Sequence, residues 1–189
     1  MNVYCVTRNR SISTATLHTI LNINIKCMIH GLDLNIHFMN TRENVSKLVE
    51  KGNSVLFLDF GTALDEETID YIIKNPEGFY VFPAPLEGVD WEQFRKKTLE
   101  GSTEPVYQRG LRFDVDVEGS DLSAFYVGSK KTSRLLRERK ISFPISDTLK
   151  KLRAHSIPFN IYSKATVTKT YPHECLGNIL DVSGVSLEK

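Results

Sequence analysis

The stretch Val55-Leu56-Phe57-Leu58-Asp59-Phe60-Gly61 decides the fold. Four apolar residues in a row, followed by a carboxylate and a glycine, describe a strand covered on both faces that ends at a turn. Upstream, Lys51-Gly52-Asn53 breaks a short amphipathic helix that opens at Thr41 and carries Val45, Leu48 and Val49. Leu32–Met39 alternates apolar and polar residues and predicts a strand with one face buried. Gly31 closes a helical run of Ala15, Leu17, Ile20, Leu21, Cys27 and Met28, for which Ser11 or Ser13 is the cap. Val3–Thr7 is the first strand. Downstream, Thr62 or Asp65 caps a helix carrying Ile69, Ile72 and Ile73, and Asn75-Pro76-Glu77-Gly78 stops it. Phe79–Phe82 is a further strand, and Trp91, Phe94 and Leu99 mark one face of a helix beyond Pro83-Ala84-Pro85. This alternation of strand and helix predicts an α/β fold, Rossmann-like, with a largely parallel central sheet and helices on both faces.

The second half has a mixed pattern. Leu111–Val117 and Ala124–Val127 are short strands around the turn Glu118-Gly119-Ser120. A basic helix over Lys130–Lys140 and another over Asp147–His155 follow, and Ile157–Thr168 is extended. There is no internal repeat, low-complexity tract or linker, so the expectation is a single domain over 1–189, with halves 1–105 and 106–189.

Composition removes the easy binding classes. Across 189 residues, 24 Lys and Arg stand against 23 Asp and Glu, a formal charge of +1. No bulk basic excess calls for nucleic acid or an anionic membrane. The three cysteines, Cys5, Cys27 and Cys175, are scattered without CxxC pairs, which fits reduced thiols rather than a disulfide framework or a four-ligand zinc site. MNVYCVTRNR has the wrong order and length for a signal peptide. No apolar run approaches the roughly 20 residues a transmembrane helix needs. The expected compartment is the cytoplasm, with any membrane association peripheral.

Ligands of open α/β sheets bind beyond the carboxyl ends of the strands. Two loops fall there. Thr7-Arg8-Asn9-Arg10-Ser11 brings two guanidiniums to a helix start and is a candidate diphosphate cradle; its bland alternative is a solvated loop. Asp59-Phe60-Gly61-Thr62 places a carboxylate just past the most apolar strand, where it can hold a hard cation with phosphates or simply cap a turn. Gly61 stands where a second acid would strengthen the metal reading. Asp114 and Asp116, with Glu118, share one face of an alternating strand and suit either a general base or a solvated face. His173, between Pro172 and Glu174, is a candidate ligand for Mn²⁺ or Zn²⁺. The basic stripe Lys130, Lys131, Arg134, Arg137 and Arg139 reads as a solvated face.

The order of these features resembles a GT-A-type glycosyltransferase, most of all the small viral and bacterial members of that superfamily. Short pieces carry the resemblance over roughly Asn2 to Asp181. Thr7-Arg8-Asn9-Arg10 is similar to the nucleotide-binding start of that fold, and Val55–Gly61 to its apolar strand and DxD motif. Phe82-Pro83-Ala84-Pro85 with Val89-Asp90-Trp91 is similar to the following segment, Gly119–Ser129 to the acceptor-side strand, and Tyr171-Pro172-His173 to a late metal-binding histidine. The resemblance implies transfer of a sugar from a nucleotide diphosphate-sugar to a hydroxyl of a glycan, protein or lipid-linked acceptor, in the host cytoplasm for a viral member. It implies Mn²⁺ or Mg²⁺ bound by Asp59 and His173, with Thr7, Arg8, Arg10, Asp59 and Gly61 around the donor and Asp114, Asp116 or Asp147 as the base. Gly61 departs from the DxD pattern, and that motivates a second reading: a catalytically inactive GT-A-like binding or structural module. VLFLD also fits the phosphoacceptor strand of a receiver-like domain. Receivers need an acidic pair after strand one, where this chain has Arg8, Asn9 and Arg10.

Overall fold

The structure, a computed structural model, describes residues 1–8, 10–41, 43–86, 88–89, 107–108, 113–117, 119–128, 130–140 and 147–169. The chain divides into two compact units, Met1–Pro85 with Phe113–Thr170, and Leu86–Arg112 with Tyr171–Lys189. The second contributes one described pairing, strands β6 (Gly88–Val89) and β7 (Tyr107–Gln108), which run antiparallel.

The first unit is built on a six-stranded sheet. Its strands are β1 (Asn2–Val6), β2 (Asn35–Met39), β3 (Val55–Leu58), β5 (Phe79–Val81), β8 (Ala124–Val127) and β9 (Asn160–Ile161). The spatial order is β2-β1-β3-β8-β5-β9. Pairings β1–β2, β1–β3 and β5–β9 are parallel, whereas β8 runs antiparallel to both β3 and β5. Five strands therefore share one direction and β8 opposes them. The largely parallel sheet expected from the β-α-β pattern is present, with its one reversal supplied by the second half of the chain.

Strand alternation sorts the core into two layers. Val3, Cys5, Leu56, Leu58, Ala124 and Tyr126 face helices α1 (Thr14–Ile29) and α3 (Glu66–Lys74), where they meet Ile20, Ile23, Cys27, Ile69 and Ile72. Tyr4, Val6, Val55, Phe57, Phe125 and Val127 face the opposite layer. That layer is made by α2 (Glu43–Glu50), α4 (Lys130–Glu138) and α5 (Thr148–Ala154), through Val45, Val49, Leu136, Leu149 and Leu152. All four residues of β3 and of β8 are buried, which is why both read as continuous apolar runs. Desolvation in this core pushes the Cys5 thiol up to about 12, as expected of an inert structural cysteine.

Asp65 is the cap of α3, its carboxylate accepting the Thr68 N–H at 3.3 Å. Thr62 instead starts a short strand, β4 (Thr62–Leu64), which pairs antiparallel with β10 (Val167–Lys169). The extended stretch expected over 157–168 thus splits between β9 and β10. The face expected to be buried on β2 is exposed, because β2 is an edge strand: Ile36 is 37% and Phe38 56% accessible, while His37 stacks on Tyr4 at 4.6 Å. The strand expected over 111–117 is also corrected. Residues 113–117 form a turn, closed by the Asp116 N–H on the Phe113 carbonyl at 3.0 Å. The Asp-Val-Asp-Val alternation mimics a strand, but Asp114 uses its side chain to bind backbone elsewhere, a habit that favours turns. The helix expected around Trp91 lies outside the described residues.

β8 is locked at its end by close backbone approach. The Gly128 N–H donates to the Gly78 carbonyl at 2.7 Å, and a Cβ at 128 would run into the Pro76 carbonyl. Backbone cannot yield as a flexible side chain can. Gly128→Ala is therefore expected to lower stability by about 1–3 kcal/mol or more, read as a shift in the urea midpoint at unchanged slope.

Candidate functional site

The carboxyl ends of β1 and β3 lie side by side, Cys5 opposite Leu58. The chain leaves β1 through Thr7, whose hydroxyl donates to Asn40 Oδ1 at 2.9 Å, and folds into a tight loop in which Arg8 and Ser11 exchange backbone hydrogen bonds. Arg10 sits in this loop at a φ of 59°, exposed. The Arg8 guanidinium lies over the Phe60 ring, 5.3 Å from its centroid, a cation–π contact that joins the first loop to the second.

The second loop is a turn from Asp59 to Thr62, closed by the Thr62 N–H on the Asp59 carbonyl at 3.1 Å. Gly61 occupies it at a φ of 75°, the left-handed region where glycine is the least strained residue. The missing second acid has a backbone reason: the chain reverses at that position to begin β4. The Asp59 N–H donates to the Ser123 carbonyl at 2.8 Å, fixing the turn to the start of β8.

Asp59 and Asp114 are brought to the same neighbourhood through Ser123 and Lys169. The Lys169 ammonium donates to Ser123 Oγ at 2.9 Å and lies 3.8 Å from Asp59 Oδ2. Asp114 is fully buried and accepts two backbone N–H groups, Ala84 on Oδ1 and Ser123 on Oδ2, each at 2.9 Å. Burial pushes the Asp114 carboxyl above its ordinary value, against the opposing pull of those two N–H groups and of Lys169. Both its oxygens are engaged in joining the loop after β5 to the start of β8. The sequence does not single out Lys169, since a lone cation ending an extended segment is too common a signal.

Asp116 belongs to a different cleft. Asp116, exposed, lines a space of about 240 Å³ with Gly119, Ser120, Leu149, Lys150 and Arg153. Asp147 heads α5 at a φ of 51° and donates its N–H to Asp121 Oδ1 at 3.1 Å. His173 lies outside the described residues.

The described residues do not fit a resident divalent ion at Asp59. They offer one carboxylate, partly shared with an ammonium, and a glycine where a second acid would stand. A dication on Asp59 would approach Lys169 to about 5 Å, a repulsion on the order of 7 kcal/mol at an effective dielectric constant near 20. Among the described residues no group of three or more His, Cys, Asp and Glu side chains is arranged to hold a metal.

No family model matches the chain, and no curated protein matches its sequence. Among solved structures the chain is similar to a proposed glucose-1-phosphate thymidylyltransferase from Bacillus anthracis, in complex with sucrose, at 8% identity and a TM-score of 0.46, over 100% of this chain and 96% of that one. It is also similar to a glycosyltransferase involved in glycosylation of the major capsid of PBCV-1, at 11% identity and a TM-score of 0.37, over 97% and 90% of the two chains. Neither likeness carries a residue role or an activity to this chain.

Replacing Asp114 by Asn turns an amide N–H₂ toward one of two buried backbone donors. Asp114→Asn is expected to lower stability by about 1–3 kcal/mol, measured by chemical denaturation. The pH dependence has a definite sign. Between the ordinary carboxylate value of 3.8 and the raised native one, the folded chain keeps a proton that the unfolded chain has released. The contribution of Asp114 to stability thus falls as pH rises through that window and is level above it. Titrating stability against pH in both proteins isolates this slope, which Asp114→Asn removes.

Proposed function

We propose that this chain is a nucleotide-sugar-dependent glycosyltransferase of GT-A type. The observation that carries the reading is the convergence of Arg8, Asp59, Ser123 and Lys169 at the carboxyl edge of a largely parallel sheet. Such an edge is where open α/β sheets take their ligands, and a cation-lined edge suits a diphosphate. Arg8, spread on Phe60, presents a planar guanidinium to a phosphate or to the nucleotide, with Arg10 exposed two residues on. Asp59, at 15% side-chain exposure, remains accessible to a ribose hydroxyl.

In the proposed reaction the bond between the anomeric carbon and the diphosphate oxygen breaks, and the acceptor hydroxyl oxygen bonds to that carbon. The hydroxyl proton passes to a carboxylate, and the diphosphate leaves with its added negative charge held by the cationic groups of the edge. Asp116 lines the other cleft and Asp147 heads α5, so neither is assigned as the base at this edge. Asp114, committed to backbone donors, acts as a positioning residue.

A second reading has its own support. Gly61 and the engagement of Asp114 remove two acids from the catalytic inventory, as a chain that binds a donor without transferring it would show.

Calorimetric titration with UDP, GDP and other common nucleoside diphosphates tests the binding step. At least one is expected to bind, and Arg8→Ala to weaken it about tenfold, the worth of one charge-assisted hydrogen bond. Binding of none would sink the proposal. Donor hydrolysis above background, lost in Asp59→Ala, separates the enzyme from the inactive module.

A further inference from the structure

We propose that Lys169 is the resident cation of the diphosphate site, so that this chain binds nucleoside diphosphates without a divalent metal. The inference deepens the glycosyltransferase reading and rests on it.

The argument starts from the turn. Its third residue must reverse the chain, Gly61 does so at positive φ, and a second carboxylate is thereby lost from the site. The turn leads into β4, and β10 lies antiparallel along β4 with Lys169 opposite Thr62. That register brings a cation to the acid the turn leaves behind. The Lys169 side chain is held at both ends of its reach, by Ser123 Oγ at 2.9 Å and Asp59 Oδ2 at 3.8 Å, and only 20% of it is exposed. Ser123 in turn gives its N–H to Asp114 and its carbonyl to Asp59. An ammonium fixed this way needs no reorganisation to meet a phosphate oxygen. At 3.8 Å its contact with Asp59 is longer than a hydrogen bond, so an incoming phosphate competes with a loose partner. Arg8, on the adjoining loop, supplies a second positive charge against the diphosphate.

The metal alternative and the lysine alternative predict opposite effects for one substitution. If Asp59 is a metal ligand, Asp59→Asn destroys anion binding. If Asp59 is the counter-ion of Lys169, Asp59→Asn releases the ammonium and binding is kept or strengthened. Inorganic pyrophosphate is the probe for this comparison, because it has no ribose for Asp59 to contact.

The experiment is calorimetric titration of the full chain with pyrophosphate and with UDP and GDP, in EDTA and in Mn²⁺. Expected are binding in EDTA, a change of less than about threefold on adding Mn²⁺, and pyrophosphate binding by Asp59→Asn at least as tight as by the parent. Lys169→Met is expected to weaken binding about tenfold or more, and Lys169→Arg to retain most of it. Thermal melts check that each variant is folded. If Lys169→Met does not fold, Asp59→Asn, which keeps the lysine, decides. Binding that needs Mn²⁺, loss of pyrophosphate binding in folded Asp59→Asn, or unchanged binding in folded Lys169→Met overturns the proposal. Binding only with Mn²⁺ leaves the transferase reading standing; no diphosphate binding under either condition removes both.

Discussion

Two carboxylates and one ammonium meet at the carboxyl edge of the sheet, and the segments that form the site are tied to that meeting. Asp114 binds the backbone of Ala84 and Ser123, so the loop after β5 and the start of β8 are held by one side chain. Asp59 donates its own N–H to Ser123 and closes the turn into β4. Lys169 reaches both Ser123 and Asp59 from β10. Removing the ammonium would take a positive charge from beside two poorly solvated carboxylates, which is costlier than losing an exposed ion pair. The near-neutral total charge of the chain conceals this local order.

Much of the fold was legible because its signals are periodic. The apolar runs Val55–Leu58 and Ala124–Val127 are buried strands, and the helices around Ile20, Val45, Ile69 and Leu149 are where their spacing puts them. Alternation alone does not establish a half-buried strand. In Leu32–Met39 the alternation exists on an edge strand whose Ile36 and Phe38 stay exposed, and in Phe113–Val117 it belongs to a turn. Neither strand order nor the direction of β8 follows from local pattern, since both depend on pairings distant in sequence, such as Leu56 with Tyr126.

The site was legible in half. Arg8 and Asp59 sit past the ends of the neighbouring strands β1 and β3, as the sequence pattern implies, because strand ends are fixed by the sheet. Asp114 was visible as an acid but not as a clamp, since its partners are backbone groups with no sequence signature. Lys169 was invisible because its placement depends on the β4–β10 pairing. Gly61 reads as a defect in a motif until its φ is known, and then as a requirement of the turn.

The reversal of β8 also bears on the order in which the chain can fold. β3 and β5 each hydrogen-bond to β8, and in the strand order β8 stands between them. A nascent chain that has emerged only as far as Pro85 holds β1, β2, β3 and β5, yet it lacks the strand that joins the first three to the last. Closure waits for residues 124–127, and the long loops this requires are the contacts that slow folding. The centre of the sheet is thus filled late, with only the edge strand β9 to follow, and until β8 arrives the inner edges of β3 and β5 are open to strands of other chains.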